Sequence, residues 1–184
     1  VQNHVVELFR DTLNYEYLGN WIDRPDNRNI EESYLRAFLK EKGYKDSLVD
    51  RALHEFTRVA GDQSRSLYDI KKDVYGMLRY GVKIKEEAGD LTNTVWLVDW
   101  QHPDQNHFAI AEEVTVPAAN AKAYTKRPDI VLYVNGIALA VLELKRSTVS
   151  VSEGIRQNLD NQKPEFIEPF FTTIQLIMAG NSTQ

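Results

Sequence analysis

The sequence predicts an α/β fold, helical in its first half and rich in strands in its second. Two observations carry this. Apolar residues recur at helical spacing as far as Gly81, and each run ends at a glycine. Beyond Gly81 the period falls from about 3.6 to about 2 residues. The division gives a mainly helical part at 1–81 and a sheet-and-helix core at 82–184, expected to pack as one structural domain.

The elements follow in order. Val5, Leu8, Phe9 and Leu13 predict a first helix whose pattern stops near Gly19, followed by the polar loop DRPDNRN. Asn29, with Glu32 three residues on, is the expected cap of a second helix carrying Ile30, Tyr34 and Phe38. Asp46 or Ser47 would cap a third, with Val49, Leu53, Phe56 and Ala60 inside; a fourth holds Leu67, Ile70, Val74 and Met77. VKIKEE and TVWLVDW flank the turn-forming AGDLTN and predict an antiparallel hairpin. HFAIAEEVTV is a further strand, and two more meet at the turn Asn135-Gly136. Ser150 and Glu153 then open a helix with Ile155 and Leu159 expected inward and Pro164 beyond its end; TTIQLIMAG is the last strand.

Composition excludes several classes. With 42% hydrophobic and 27% charged residues this is an ordinary soluble mix, and no apolar run approaches the roughly 18 residues of a membrane span. The opening VQNHVVELFR has neither the basic nor the apolar region of a signal peptide. Cysteine is absent, which removes disulfides and thiolate metal sites and fits a reducing cytoplasm. The missing initiator Met and the stop at NSTQ are expected of a trimmed fragment. The net charge of −5 argues against wholesale binding of nucleic acid, but Lys122, Lys126, Arg127, Lys145 and Arg146 supply a local basic strip.

The chemistry concentrates in RPDIVLYVNGIALAVLELKRS, residues 127–147. Asp129 stands at the mouth of one strand, while Glu143 and Lys145, two apart, share a face of the next. Two carboxylates can hold Mg²⁺ through oxygen, and a lysine beside them can orient water: parts suited to metal-assisted phosphodiester hydrolysis. The bland alternative is a salt-bridged pair at a strand end. Geometry sets a condition. In a strict two-residue hairpin Val134 pairs with Ile137, Asp129 opposes Leu142, and Glu143 points to the other face. A shared metal therefore requires an odd-length connection or a bulge.

This stretch closely resembles the nuclease motif of the R subunit of type I restriction–modification enzymes, a PD-(D/E)xK nuclease. MLRYGVKI, VWLVDWQHPDQNHFAI and EFIEPFFTTIQLIMAGN resemble the flanking segments of those subunits. The resemblance implies a mixed sheet flanked by helices, with Asp129 and Glu143 as metal ligands and Lys145 as the catalytic lysine. It implies Mg²⁺, with Mn²⁺ able to substitute, double-stranded DNA as substrate, and methyltransferase and specificity subunits as partners. ATP belongs to motor domains of the full-length subunit; this chain has no G-x-x-x-x-G-K-[ST] stretch. Many such subunits carry Q-x-x-x-Y on the next helix. Here Gln157 matches, as a group facing DNA or the active site, but Asn161 followed by Gln162 stands where the tyrosine would be. Lys126, Arg127 and Arg146 are the accompanying DNA-contact candidates.

Other residues weigh less. Glu7 could be an extra acidic group on the first helix, although a solvated face is the plainer reading. The four histidines lack H-x-x-x-H spacing, and no G-x-S-x-G elbow is present. Trp96 and Trp100 are expected on one strand face, packing in the core or at its rim, with base stacking as the lesser alternative and Asp99 ending the strand. A nuclease-fold docking module without activity, or a freestanding nuclease, are the alternatives; metal binding separates the first of these from the nuclease.

Overall fold

The computed structural model describes residues 1–87, 89, 91–118, 120 and 124–181. Strands β1 (Glu16–Asn20), β4 (Phe108–Glu112), β5 (Ile130–Val134), β6 (Ile137–Leu144) and β7 (Leu176–Gly180) form one sheet in the order β1-β4-β5-β6-β7. The three central strands pair antiparallel, and the two edge strands join in parallel. This is a mixed sheet flanked by helices, as the resemblance implied. No helix among the described residues is long and apolar enough to cross a membrane.

Each face of the sheet has its own core. Ala109, Val131, Tyr133 and Val141 pack with Trp21, Ile167, Phe170 and Phe171 on one side. Ile110 and Ile130 pack with Val6 of α1 (Gln2–Glu7) on the other. The alternation of β5 sends its odd-numbered residues to the first core and Ile130 to the second. The third core unites α2 (Glu32–Glu41), α3 (Asp46–Ala60) and α4 (Leu67–Tyr80) with β2 (Val82–Ile84) and β3 (Asn93–Val95), an antiparallel pair. Ile137 also belongs to it, so the helical layer docks against the turn end of the β5–β6 hairpin.

That docking explains a glycine. Gly136 has φ +80°, and a Cβ there would lie 2.7 Å from the Glu31 carbonyl oxygen and 2.7 Å from Tyr34 Cβ. The Asn-Gly turn thus both reverses the chain and leaves room for the start of α2.

Three expectations are corrected. The first helix does not reach Gly19: α1 passes into a π-helical turn at Leu8–Thr12, Asn14 adopts φ 57°, and β1 follows. Tyr15 and Tyr17 suit a strand, Tyr15 packing on Phe9 and Phe108 and Tyr17 donating to Glu112. Asn29 does not cap α2, because its amide donates to Pro169 and Thr172 and Glu31 takes the capping position. Trp96 and Trp100 share no strand, since β3 ends at Val95. Packing also crosses Gly81, with β1 joining the main sheet and β2–β3 the helical core. Lys122 of the basic strip, and Ala88 and Asp90 of the predicted hairpin tip, lie outside the described residues.

Candidate active site

The β5–β6 hairpin contains the bulge that a shared site requires. Val134 pairs with Ile137 and Tyr133 with Ala138, but Leu132 pairs with Ala140, leaving Leu139 without a cross-strand partner. From there Val131 faces Val141 and Ile130 faces Leu142, so Asp129 falls opposite Glu143 on one face. Groups outside the hairpin hold the bulge. The Ala138 N–H donates to the Asn29 carbonyl at 2.8 Å, the Thr173 hydroxyl to the Ala138 carbonyl at 2.7 Å, and the Gln175 N–H to the Leu139 carbonyl at 2.8 Å.

Asp129 Oδ2 accepts the Leu144 N–H at 2.6 Å, which fixes its carboxylate at the end of the ladder. Glu143 is fully buried. α5 (Val151–Asn161) reaches it through Gln157, whose Nε2 donates to Glu143 Oε2 at 2.8 Å and whose Oε1 accepts from Lys145 Nζ at 2.5 Å. Lys145 Nζ itself lies 3.9 Å from Glu143 Oε2. Burial pushes the Glu143 carboxyl up to about 8; the Asp129 charge adds to this and Lys145 opposes it. Burial raises Asp129 too, against the Leu144 N–H and Lys145.

Gly154 permits this approach. A Cβ there would lie 3.0 Å from Ala179 Cβ and 3.6 Å from both Glu143 Cβ and Lys145 Cε. It is the site residue that sequence reasoning missed; its signal was its place one helical turn before Gln157.

The model of a family described as "Type I restriction enzyme R protein N terminus" matches residues 1–184. The chain belongs to that family. It is 29% identical over 154 residues to a Methanocaldococcus jannaschii protein named as the endonuclease subunit of type I restriction enzyme MjaIXP, covering 79% of this chain and 15% of that protein. Against the type I restriction enzyme SsaAORF53P endonuclease subunit of Staphylococcus saprophyticus it is 31% identical over 84 residues, 46% of this chain and 8% of that protein. The type I restriction enzyme HindI endonuclease subunit of Haemophilus influenzae is 29% identical over 110 residues, 57% of this chain and 10% of that protein. The chain thus spans a small part of the curated relatives it matches.

Within this R-protein N-terminal domain the remaining candidates are placed as follows. Glu7 is exposed, 4.0 Å from His4, on a helix that packs against the Ile130 face, opposite to Asp129; it does not join the carboxylates. Arg127 pairs with Glu113 at 2.7 Å, Lys126 sits 4.1 Å over the Phe166 ring, and Arg146 is exposed beside Lys145. Asn161 is fully buried, with no hydrogen-bond partner for either amide atom among the described residues, and Gln162 turns back to the Asn158 carbonyl at 3.1 Å. α5 is also rotated from expectation: Ile155 and Leu159 are 48% and 52% exposed, while Gly154, Asn158 and Asn161 face inward. Its polar stripe, not its apolar one, covers the sheet.

The donor set of this R-protein site suits a hard divalent cation. Glu143 Oε1 is buried without a hydrogen-bond partner among the described residues, so only a proton or a cation compensates it there. No group of three or more His, Asp or Glu among the described residues is placed to enclose an ion. Two carboxylates with the remaining positions left to water and phosphate is the pattern Mg²⁺ favours over a full protein cage.

Proposed function

We propose that this domain is the nuclease of a type I restriction enzyme R subunit and hydrolyses phosphodiester bonds of double-stranded DNA. The observation that carries the reading is the unpaired Leu139, which sets Asp129 across from Glu143 with Lys145 on the same face. Asp129 and Glu143 would hold Mg²⁺, or Mn²⁺ in its place. A cation so held supplies Lewis acidity to a phosphoryl oxygen and acidifies a bound water.

The chain's own residues do the rest. Lys145, kept pointed at the site by Gln157, orients the attacking water and offsets charge growing on the phosphoryl oxygens. Gln157 also fixes the rotamer of Glu143. The water oxygen bonds to phosphorus and gives up a proton as one P–O ester bond breaks, and a proton passes to the departing oxygen. Arg146, Lys126 and Arg127 flank the site and suit contact with phosphates, which position DNA without reading its sequence. Cutting is accordingly without sequence preference of its own, and specificity comes from methyltransferase and specificity subunits in the cytoplasm. ATP acts only in motor domains of the longer subunit.

The test uses the full-length subunit assembled with those partners on circular duplex DNA. Asp129→Ala or Lys145→Ala abolishes cleavage while ATP hydrolysis persists. Retained cutting by either variant defeats the assignment and favours a docking role for the fold.

A further inference from the structure

A second feature lies at the far end of the same hairpin. Trp96 and Trp100 are 42% and 48% exposed, whereas Trp21 is buried. With Phe38, Tyr44, Lys42 and Arg79 they line a groove of about 410 Å³, within the range of pockets that take small organic ligands. Its walls are tied down. The Trp100 indole N–H donates to the Leu78 carbonyl at 2.8 Å, and the Trp96 backbone N–H to the Tyr44 hydroxyl at 3.0 Å. Asn106 Oδ1 accepts both the Asp99 N–H and an N–H of Asn135, which joins the groove to the hairpin turn. The five residues of β5, about 17 Å of strand, separate that turn from Asp129.

Charge distinguishes this groove from ordinary rim packing. Arg79, in the groove, lies 5.4 Å from the Trp100 ring centre, and Lys83, beside the groove rather than lining it, lies 5.8 Å from that of Trp96. Among the described residues neither cation has a carboxylate partner; Lys83 donates only to the Thr94 hydroxyl. Lys42 neutralises Asp99, the one acidic group lining the groove. In a chain of net charge −5, two uncompensated cations over two exposed tryptophans form a local cationic aromatic surface. Such a surface matches a planar ring carrying an anion: the ring stacks on indole and the anion meets guanidinium and ammonium. A duplex hides its base faces; an unpaired strand offers both parts together.

We infer that the Trp96–Trp100 groove binds unpaired nucleotides of single-stranded DNA, at a site separate from the carboxylates. Rigid indoles supply sequence-tolerant stacking, and Arg79 and Lys83 hold the flanking phosphates.

The experiment is fluorescence anisotropy of a dye-labelled short oligothymidylate with the 184-residue chain in EDTA, which prevents cleavage. Thymidine monophosphate and an unlabelled duplex of equal length serve as competitors. The strand is expected to bind, with Trp96→Ala and Trp100→Ala each weakening it roughly 10-fold, as loss of one stacked base predicts. Arg79→Gln, a surface change that spares the fold, flattens the salt dependence. Arg10→Gln, an exposed charge that belongs to neither site, leaves affinity unchanged, which separates the groove from a general effect of charge. Failure of the strand to bind overturns the inference, as does wild-type affinity in the tryptophan and Arg79 variants. Equal competition by duplex also overturns it. Competition by the mononucleotide as strong as by the strand would make the groove a free-nucleotide pocket instead.

Discussion

Gln157 donates to Glu143 at 2.8 Å while its carbonyl oxygen accepts from Lys145, so one amide spans the two charged groups of β6. Replacing it by alanine leaves Lys145 free to swing and Glu143 without its donor. We expect Gln157→Ala to lower cleavage by the assembled enzyme about 10- to 100-fold, the usual effect of removing a group that orients a metal ligand. Single-turnover cleavage against time measures it. Unchanged rates would mean that Gln157 serves neither residue in the reaction.

Gly154 makes that span possible by letting α5 lie close to β6. Gly154→Ala brings a methyl to 3.0 Å from Ala179 Cβ, and the helix must retreat by a few tenths of an ångström. Alanine favours the helix itself by up to about 1 kcal/mol, so thermal stability should change little. Divalent-cation affinity, read by calorimetry with Mn²⁺, should fall because Gln157 is pulled from Glu143. Loss of stability with unchanged Mn²⁺ affinity would show that the close approach is only packing.

Much of this arrangement was legible in the chain. Counting from Val134–Ile137 showed that a regular turn would separate Asp129 and Glu143, which demanded an odd-length connection or a bulge, and Leu139 supplies the bulge. Which residue bulges was not legible, because it is held by Asn29, Thr173 and Gln175 from distant parts of the chain. α5 was misoriented for a physical reason. Periodicity assumes that the apolar stripe faces inward, yet here the inward stripe must serve Glu143, and Ile155 and Leu159 are left outside. β1 was hidden because the helical spacing of Val5, Phe9 and Leu13 ends just before the segment that the sheet edge claims. The helices α3 and α4, whose apolar positions meet one another rather than a site, followed their pattern closely.

Gly136 tests the joint between the helical layer and the hairpin. Alanine there suffers both the left-handed φ of +80° and contacts of 2.7 Å with the Glu31 carbonyl and Tyr34 Cβ. We expect Gly136→Ala to lose about 1–3 kcal/mol, the scale of backbone strain in that region, seen as a lower urea midpoint. Gly43→Ala, also at positive φ but with nothing within 4 Å, isolates the conformational part and should cost less.

The pH dependence follows from Glu143. Its folded value of about 8 lies above the ordinary 4.5, so between these the folded carboxyl keeps a proton that the unfolded chain has released. Folding then takes up a proton, and the stability from this group, complete below 4.5, is lost as pH rises through about 8. Asp129 is shifted in the same direction and adds to the trend. In EDTA the melting temperature should therefore fall between pH 5 and pH 8. Glu143→Gln, neutral throughout, should flatten the slope. Mg²⁺, if held by Asp129 and Glu143 as proposed, should act in the opposite sense, because it would bind the deprotonated carboxylates and compete with that proton. Its stabilising effect should be larger at pH 8 than at pH 6 and absent from Glu143→Gln. A thermal-shift titration at the two pH values reads both effects. An equal Mg²⁺ shift in wild type and Glu143→Gln would place the cation away from these carboxylates.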